Sequence, residues 1–150
     1  LMLDRVTVYD PEGGSKGLGY MRAEKDVDTD EWFFKAHFYQ DPVWPGSLGL
    51  ESFLQLLKVF AIDRWGADFA RTHRFEPICV GIEHEWAYRG QILPTNKRVE
   101  VEAAVTRLED GPTPMILADG YLKVDGIYIY KMKDFGLRLV LRRVTCRYAA

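Results

Sequence analysis

Cysteine is almost missing from this chain: Cys79 and Cys146 are the only two, far apart and in no C-x-x-C arrangement. That argues against a disulfide framework and a cysteine zinc site, and it suits a reducing cytoplasm. No apolar run reaches the roughly eighteen residues a membrane helix needs. The longest greasy stretch, Leu48 to Ile62, is interrupted by Glu51, Gln55 and Lys58. A basic excess is missing too. With 20 Lys and Arg against 22 Asp and Glu, the net charge is -2, which removes the electrostatic case for a nucleic-acid binder. Leu1-Met2-Leu3-Asp4-Arg5 lacks the basic-then-apolar order of a secretory signal. The chain opens at Leu1 and not at a start methionine, so a domain cut from a longer polypeptide is one expectation. Internal repeats and low-complexity segments do not occur.

What is present is globular. The 150 residues are 47% hydrophobic and 13% aromatic, enough for one compact domain spanning 1–150 with its own core. Val6 to Tyr9 and Leu18 to Glu24 read as strands, separated by a turn through Pro11, Gly13 and Gly14. An acidic turn, Asp26 to Asp30, precedes the aromatic run Trp32-Phe33-Phe34. In His37-Phe38-Tyr39-Gln40-Asp41-Pro42-Val43-Trp44-Pro45-Gly46-Ser47, two prolines and a glycine within five residues force a specific loop path. A helix follows from near Gly46 or Ser47, with Ser47 as its expected cap. Its apolar positions to Ile62 are too many for one stripe, which predicts burial on most sides. After a variable stretch near Gly66 to Pro77, strands are expected at Val80 to Tyr88, Val99 to Leu108, Met115 to Val124 and Ile127 to Lys131. Val99, Val101, Ala103 and Val105 alternate with Glu100, Glu102, Ala104 and Thr106 in the pattern of a half-buried strand. Asp125-Gly126 is a strong hairpin signal. A long helix followed by an antiparallel meander predicts an α+β layer, the sheet wrapped around the helix.

Two side chains could carry chemistry. Acid–base chemistry needs a base to take a proton and an acid to supply one. An imidazole suits the first task, which points to His37. A carboxyl suits the second if an apolar pocket keeps it protonated, and the leucines and phenylalanines around Glu51 are expected to supply that pocket. Free N–H groups at Gly46 and the helix start could stabilise an oxygen that gains negative charge. Taken singly these signals are weak. A His before a loop is ordinarily structural, a carboxylate on an apolar helix is ordinarily an edge residue, and Gln55 could serve only backbone groups.

The segment HFYQDPVWPGSLGLESFLQ, His37 to Gln55, resembles the signature of the bacterial fatty-acid dehydratases of the FabA/FabZ type. Gly90-Gln91-Ile92-Leu93-Pro94-Thr95 with Lys97 is similar to a G-Q-V-L-P-T stretch of the FabA branch. Leu3 to Val6 resembles the family's first strand. Ala118-Asp119-Gly120, and Val124-Asp125-Gly126 with Ile129-Tyr130, resemble its late hairpin. The resemblance runs in order from about Leu3 to Leu137, and extends to the FabA-like dehydratase domains of polyunsaturated fatty-acid and polyketide synthases. It implies the hotdog fold and dehydration of β-hydroxyacyl thioesters to trans-2-enoyl thioesters, with isomerisation to cis-3 in some members. On this resemblance His37 is the base and Glu51 the acid. The Gly46 N–H holds the thioester carbonyl, Gln55 is the glutamine one turn past the acid, and Val43, Trp44 and Phe38 are candidates to line the acyl tunnel. The substrate would arrive on the phosphopantetheine of an acyl carrier protein, with no metal or organic cofactor. The His and carboxylate of one site would come from two subunits, so a homodimer or a second hotdog domain is the implied partner.

Departures from that pattern are visible. Trp44 stands where methionine is usual, and Ser47 where the FabA branch has cysteine. Arg107 to Pro112 is acidic where free-standing members carry a basic cluster for the acidic carrier. Linkage to a tethered carrier would lessen the need for docking affinity. Arg138, Arg142, Arg143 and Arg147 are candidates to compensate, or form only a solvated tail. His73 and His84 read as structural. Two other readings share the fold: an acyl thioesterase, and a catalytically silent domain. The His37/Glu51 pair argues against both.

Overall fold

The computed structural model describes residues 1–142. Its elements are β1 (Arg5–Asp10), β2 (Tyr20–Asp26), α1 (Trp32–Ala36), α2 (Gly46–Trp65), a 3₁₀ turn (Ala67–Arg71), β3 (His73–Phe75), β4 (Glu85–Tyr88), β5 (Arg98–Glu109), β6 (Met115–Val124) and β7 (Ile127–Leu141). All strand pairs are antiparallel, in the order β1-β2-β5-β6-β7-β3, with β4 also pairing β7. The sheet curls around α2. This is the hotdog fold that the sequence predicts.

Alternation explains the sheet's inner face. Val99, Val101, Ala103 and Val105 are buried on β5 as expected, beside Met21 and Ala23 of β2 and Ile116, Ala118 and Leu122 of β6. From α2, Phe53, Leu56, Leu57 and Phe60 fill the concavity, and Phe53 meets Phe135 edge to face with centroids 6.5 Å apart. Each such buried side chain contributes ~2 kcal/mol. Gly49 allows the helix to lie close to the sheet, since a Cβ there would overlap the Tyr130 ring.

The structure revises several boundaries. β2 runs from Tyr20 to Asp26, and the aromatic run folds as the short helix α1, which buries Phe33 and Phe34. The variable stretch holds the 3₁₀ turn and β3. The strand expected from Val80 begins only at Glu85, because Cys79 to Ile82 form a turn with Gly81 at φ +83°. Helix α2 starts at Gly46 with Pro45 in the capping position, and no side chain caps it, so Ser47 is not the cap. β7 continues ten residues beyond the expected Lys131, to Leu141. There Lys133 and Asp134 bulge opposite Asp119, whose Oδ1 accepts the Asp134 N–H at 2.9 Å. The bulge breaks the period-2 pattern that sequence reading follows.

The hairpin at Asp125-Gly126 forms as predicted, both residues in the left-handed region. The Asp125 carboxylate accepts from Asn96 Nδ2 (2.9 Å), Lys97 N (3.0 Å) and Arg98 N (2.9 Å), tying the hairpin to the start of β5. These hydrogen bonds, led by that from Asn96, hold the carboxyl below its usual range. A depressed carboxylate contributes stability above its unfolded-state range, and the contribution is lost as pH falls below it. Asp125→Ala should therefore lower the melting temperature at pH 7 by about 3 °C, for roughly 1 kcal/mol lost at an exposed site. The gap to the parent should narrow in acid, as thermal unfolding at pH 7 and pH 3 would show.

Candidate active site

The loop after α1 folds back on His37 through one bond to its backbone and one to its ring. Val43 N–H donates to the His37 carbonyl at 2.8 Å, and the ring Nδ1 lies 3.0 Å from the Val43 carbonyl. A carbonyl only accepts, so Nδ1 carries the hydrogen and the neutral ring keeps its lone pair on Nε2. His37 N–H caps α1 by donating to the Phe33 carbonyl at 2.9 Å. The ring is partly exposed and lies against Phe38, with centroids 3.7 Å apart.

At its other end the loop is anchored in the core. Trp44 N–H donates to the Ile92 carbonyl at 2.9 Å, joining the proline loop to the Gly90 to Thr95 stretch. The Trp44 indole is buried against Phe33 (4.5 Å) and Phe34 (6.2 Å), and its Nε1–H has no hydrogen-bond partner among the described residues. Val43 is also buried, whereas Phe38 is 56% exposed. Of the three tunnel candidates, Phe38 thus faces outward in this chain.

Gly46 is the first residue of α2, where backbone N–H groups have no partner within the helix. No carbonyl of the described residues accepts its N–H. Its own carbonyl accepts the Tyr130 hydroxyl at 3.3 Å. Burial, and then the neighbouring Tyr88, push the Tyr130 phenol up, so it stays a neutral donor. Trp86, Tyr88 and Tyr130 pack together beside this glycine, with centroids 5.0–5.5 Å apart. A Cβ at Gly46 would press on Trp86 at 3.2 Å.

Glu51 departs from expectation. Its side chain is 36% exposed, and Phe53, Leu56 and Leu57 near it in sequence pack into the core under the sheet. Among the described residues none closes over its carboxylate as an apolar pocket. Positions 51, 55, 58, 59 and 62 form a stripe that the sheet does not cover, with Val59 40% and Ile62 45% exposed. The expectation of burial on most sides is therefore wrong for this face, because the sheet wraps only the opposite one. Glu51 Oε1 accepts from Gln55 Nε2 at 3.0 Å and from Lys58 Nζ at 2.9 Å. Gln55 Oε1 in turn accepts the Met2 N–H at 2.9 Å. Sequence reading takes Lys58 only as an interruption of a greasy run, although its i+7 spacing places it two turns along the same face. An open apolar groove of about 340 Å³ runs beside this stripe, lined by Leu3, Val6, Gln55, Lys58, Val59 and Ile62 among others. No hydrogen bond joins His37 to Glu51 among the described residues.

With this geometry in view, comparison with known proteins is decisive for the family. The FabA-like domain family matches residues 1–133. The chain belongs to that family. A relative, one of the polypeptides of the polyunsaturated fatty acid synthase of Thraustochytrium sp., is 37% identical over 142 residues, covering 91% of this chain and 9% of that protein. The FabA-like chain thus spans about a tenth of the length of that relative. Among solved structures, the dehydratase heterocomplex ApeI:P from Xenorhabdus doucetiae aligns over 97% of this chain and 85% of that one, with TM-score 0.55 and 13% identity. AziG from S. sahachiroi aligns over 92% and 90%, with TM-score 0.53 and 14% identity. At those identities the likeness concerns the fold, which both share with the FabA-like chain.

The remaining polar candidates are engaged internally. Arg138 donates to Glu76 and the Val80 carbonyl, and Arg142 to the His73 carbonyl, so neither is free in a solvated tail. Arg143 and Arg147 lie outside the described residues. In the acidic segment Arg107 pairs with Glu109, and Asp110 accepts from Arg64 and Trp65. His84 packs against Phe135, and His73 meets the Thr72 hydroxyl. No helix among the described residues is long and apolar enough to cross a membrane.

Proposed function

We propose that this FabA-like domain dehydrates β-hydroxyacyl thioesters to trans-2-enoyl thioesters. The observation that carries the reading is the 3.0 Å approach of His37 Nδ1 to the Val43 carbonyl, which sets the tautomer. With Nδ1–H held by the Val43 carbonyl, Nε2 is left as a fixed base for the α-carbon proton. As that proton leaves, negative charge grows on the thioester oxygen, and the unpartnered Gly46 N–H at the start of a 20-residue helix is suited to receive it. Glu51, once a partner domain closes over its exposed face, donates its proton to the β-hydroxyl, which departs as water. Gln55 holds that carboxyl.

The acid and the base are completed, in this proposal, across a pair of hotdog domains, either two copies of this chain or one copy and a second hotdog domain. The exposed stripe around Glu51 and the lack of a His37–Glu51 hydrogen bond among the described residues support that arrangement. The substrate is proposed to arrive on the phosphopantetheine arm of an acyl carrier protein. Within a larger synthase such as the Thraustochytrium relative, the carrier would be tethered.

Offering a β-hydroxyacyl-pantetheine thioester and following the enoyl product by its ultraviolet absorbance tests the reading. Enoyl formation is expected. Release of free thiol without enoyl product would replace it with a thioesterase, and no reaction with a silent domain. Analysis of the product for the cis-3 ester reads whether the same pair isomerises.

A further inference from the structure

We propose that Lys58 is a positioning residue for the Glu51 acid, an inference that rests on the dehydratase reading. Two donors, Lys58 Nζ at 2.9 Å and Gln55 Nε2 at 3.0 Å, converge on one oxygen of Glu51, Oε1. The other oxygen, Oε2, accepts no hydrogen bond from any described residue. Donors placed one and two turns along the helix fix the rotation of the carboxyl plane, so the two oxygens are no longer equivalent. Oε1 faces the ammonium, and Oε2 is the oxygen left to carry the proton and meet the substrate.

The charge of Lys58 has a second effect. In the reaction the Cα–H electrons form the new double bond, His37 takes the α proton, and the Cβ–O bond breaks as Oε2–H protonates the hydroxyl. Water leaves, and Glu51 is left as a carboxylate. Its negative charge develops in the transition state with an ammonium already in place at 2.9 Å. Lys58 donates no proton to the substrate; it stabilises the conjugate base of the group that does. The stem of Lys58 lies along the apolar groove with Val59 and Ile62, which holds the ammonium on this face. Asp63 and Asp68, the nearest acidic residues in sequence on either side of the helix end, have other partners: the Tyr9 hydroxyl and Arg71.

Lys58→Met tests this, because it keeps the apolar stem and removes the charge. With the β-hydroxyacyl-pantetheine thioester, kcat should fall about tenfold while KM stays within about twofold. A larger loss is not expected from a pair that is partly open to water, at 28% and 36% exposure. Lys58→Arg should restore kcat to within about threefold of the parent, and thermal unfolding of both variants should match it. If Lys58→Met turns over like the parent, if its loss falls in KM, or if Lys58→Arg is no better than Lys58→Met, the role is wrong. A parent chain that forms no enoyl product would overturn the dehydratase reading itself, an outcome separate from all three.

Discussion

His37→Ala should lower enoyl formation by at least about a thousandfold, the range expected when a positioned base is removed. The melting temperature should change little, because the ring is partly exposed and outside the core. His37→Asn is the sharper variant. An asparagine amide can still donate to the Val43 carbonyl, preserving the loop, yet it offers no basic nitrogen where Nε2 stands. Loss of turnover in both variants with the fold intact assigns the chemistry to Nε2. Near-parent rates in His37→Asn would instead make the ring a loop staple and leave the reaction without its base.

Glu51→Gln should cost a similar factor. The amide is of the same size and can keep one acceptor oxygen for Lys58 and Gln55, but it has no acidic proton to deliver. Mixing the two inactive variants tests how the site is assembled. If base and acid come from different copies, a His37→Ala/Glu51→Gln heterodimer contains one intact site and one doubly impaired site. Random reassortment would then make half of the dimers mixed, each with one of two sites restored, so about a quarter of the parent activity should return. No recovery after demonstrated exchange of protomers would exclude pairing between copies of this chain and point to a second hotdog domain as the partner.

The open stripe on α2 explains why the pocket expected around Glu51 does not form from its own helix. Leu48 to Ile62 carries so many apolar residues that burial on most sides follows from pattern alone. The sheet, however, covers only the side holding Phe53, Leu56, Leu57 and Phe60. Two further apolar residues, Val59 and Ile62, face outward with Glu51, Gln55 and Lys58. A hydrophobic residue facing an absent partner looks the same in sequence as one facing its own core. The same ambiguity made Arg138 look like a docking group, when Glu76 and the Val80 carbonyl already hold it.

Local rules were enough where the controlling interactions are local. Asp125-Gly126 specifies its turn through the left-handed backbone both residues accept, the β5 alternation specifies its buried face, and the proline loop announces the start of α2. The order of the motifs from Leu3 to Leu137 already pointed to the family that matches residues 1–133. Contacts between residues distant in sequence decided the rest. The β7 bulge depends on Asp119, the seating of α2 depends on Gly49 meeting Tyr130, and the exposure of Glu51 depends on where the sheet ends. Even the His37 tautomer required a loop that folds back far enough to bring the Val43 carbonyl to the ring. Periodicity records what each residue prefers, but only the curled sheet determines which preference is met.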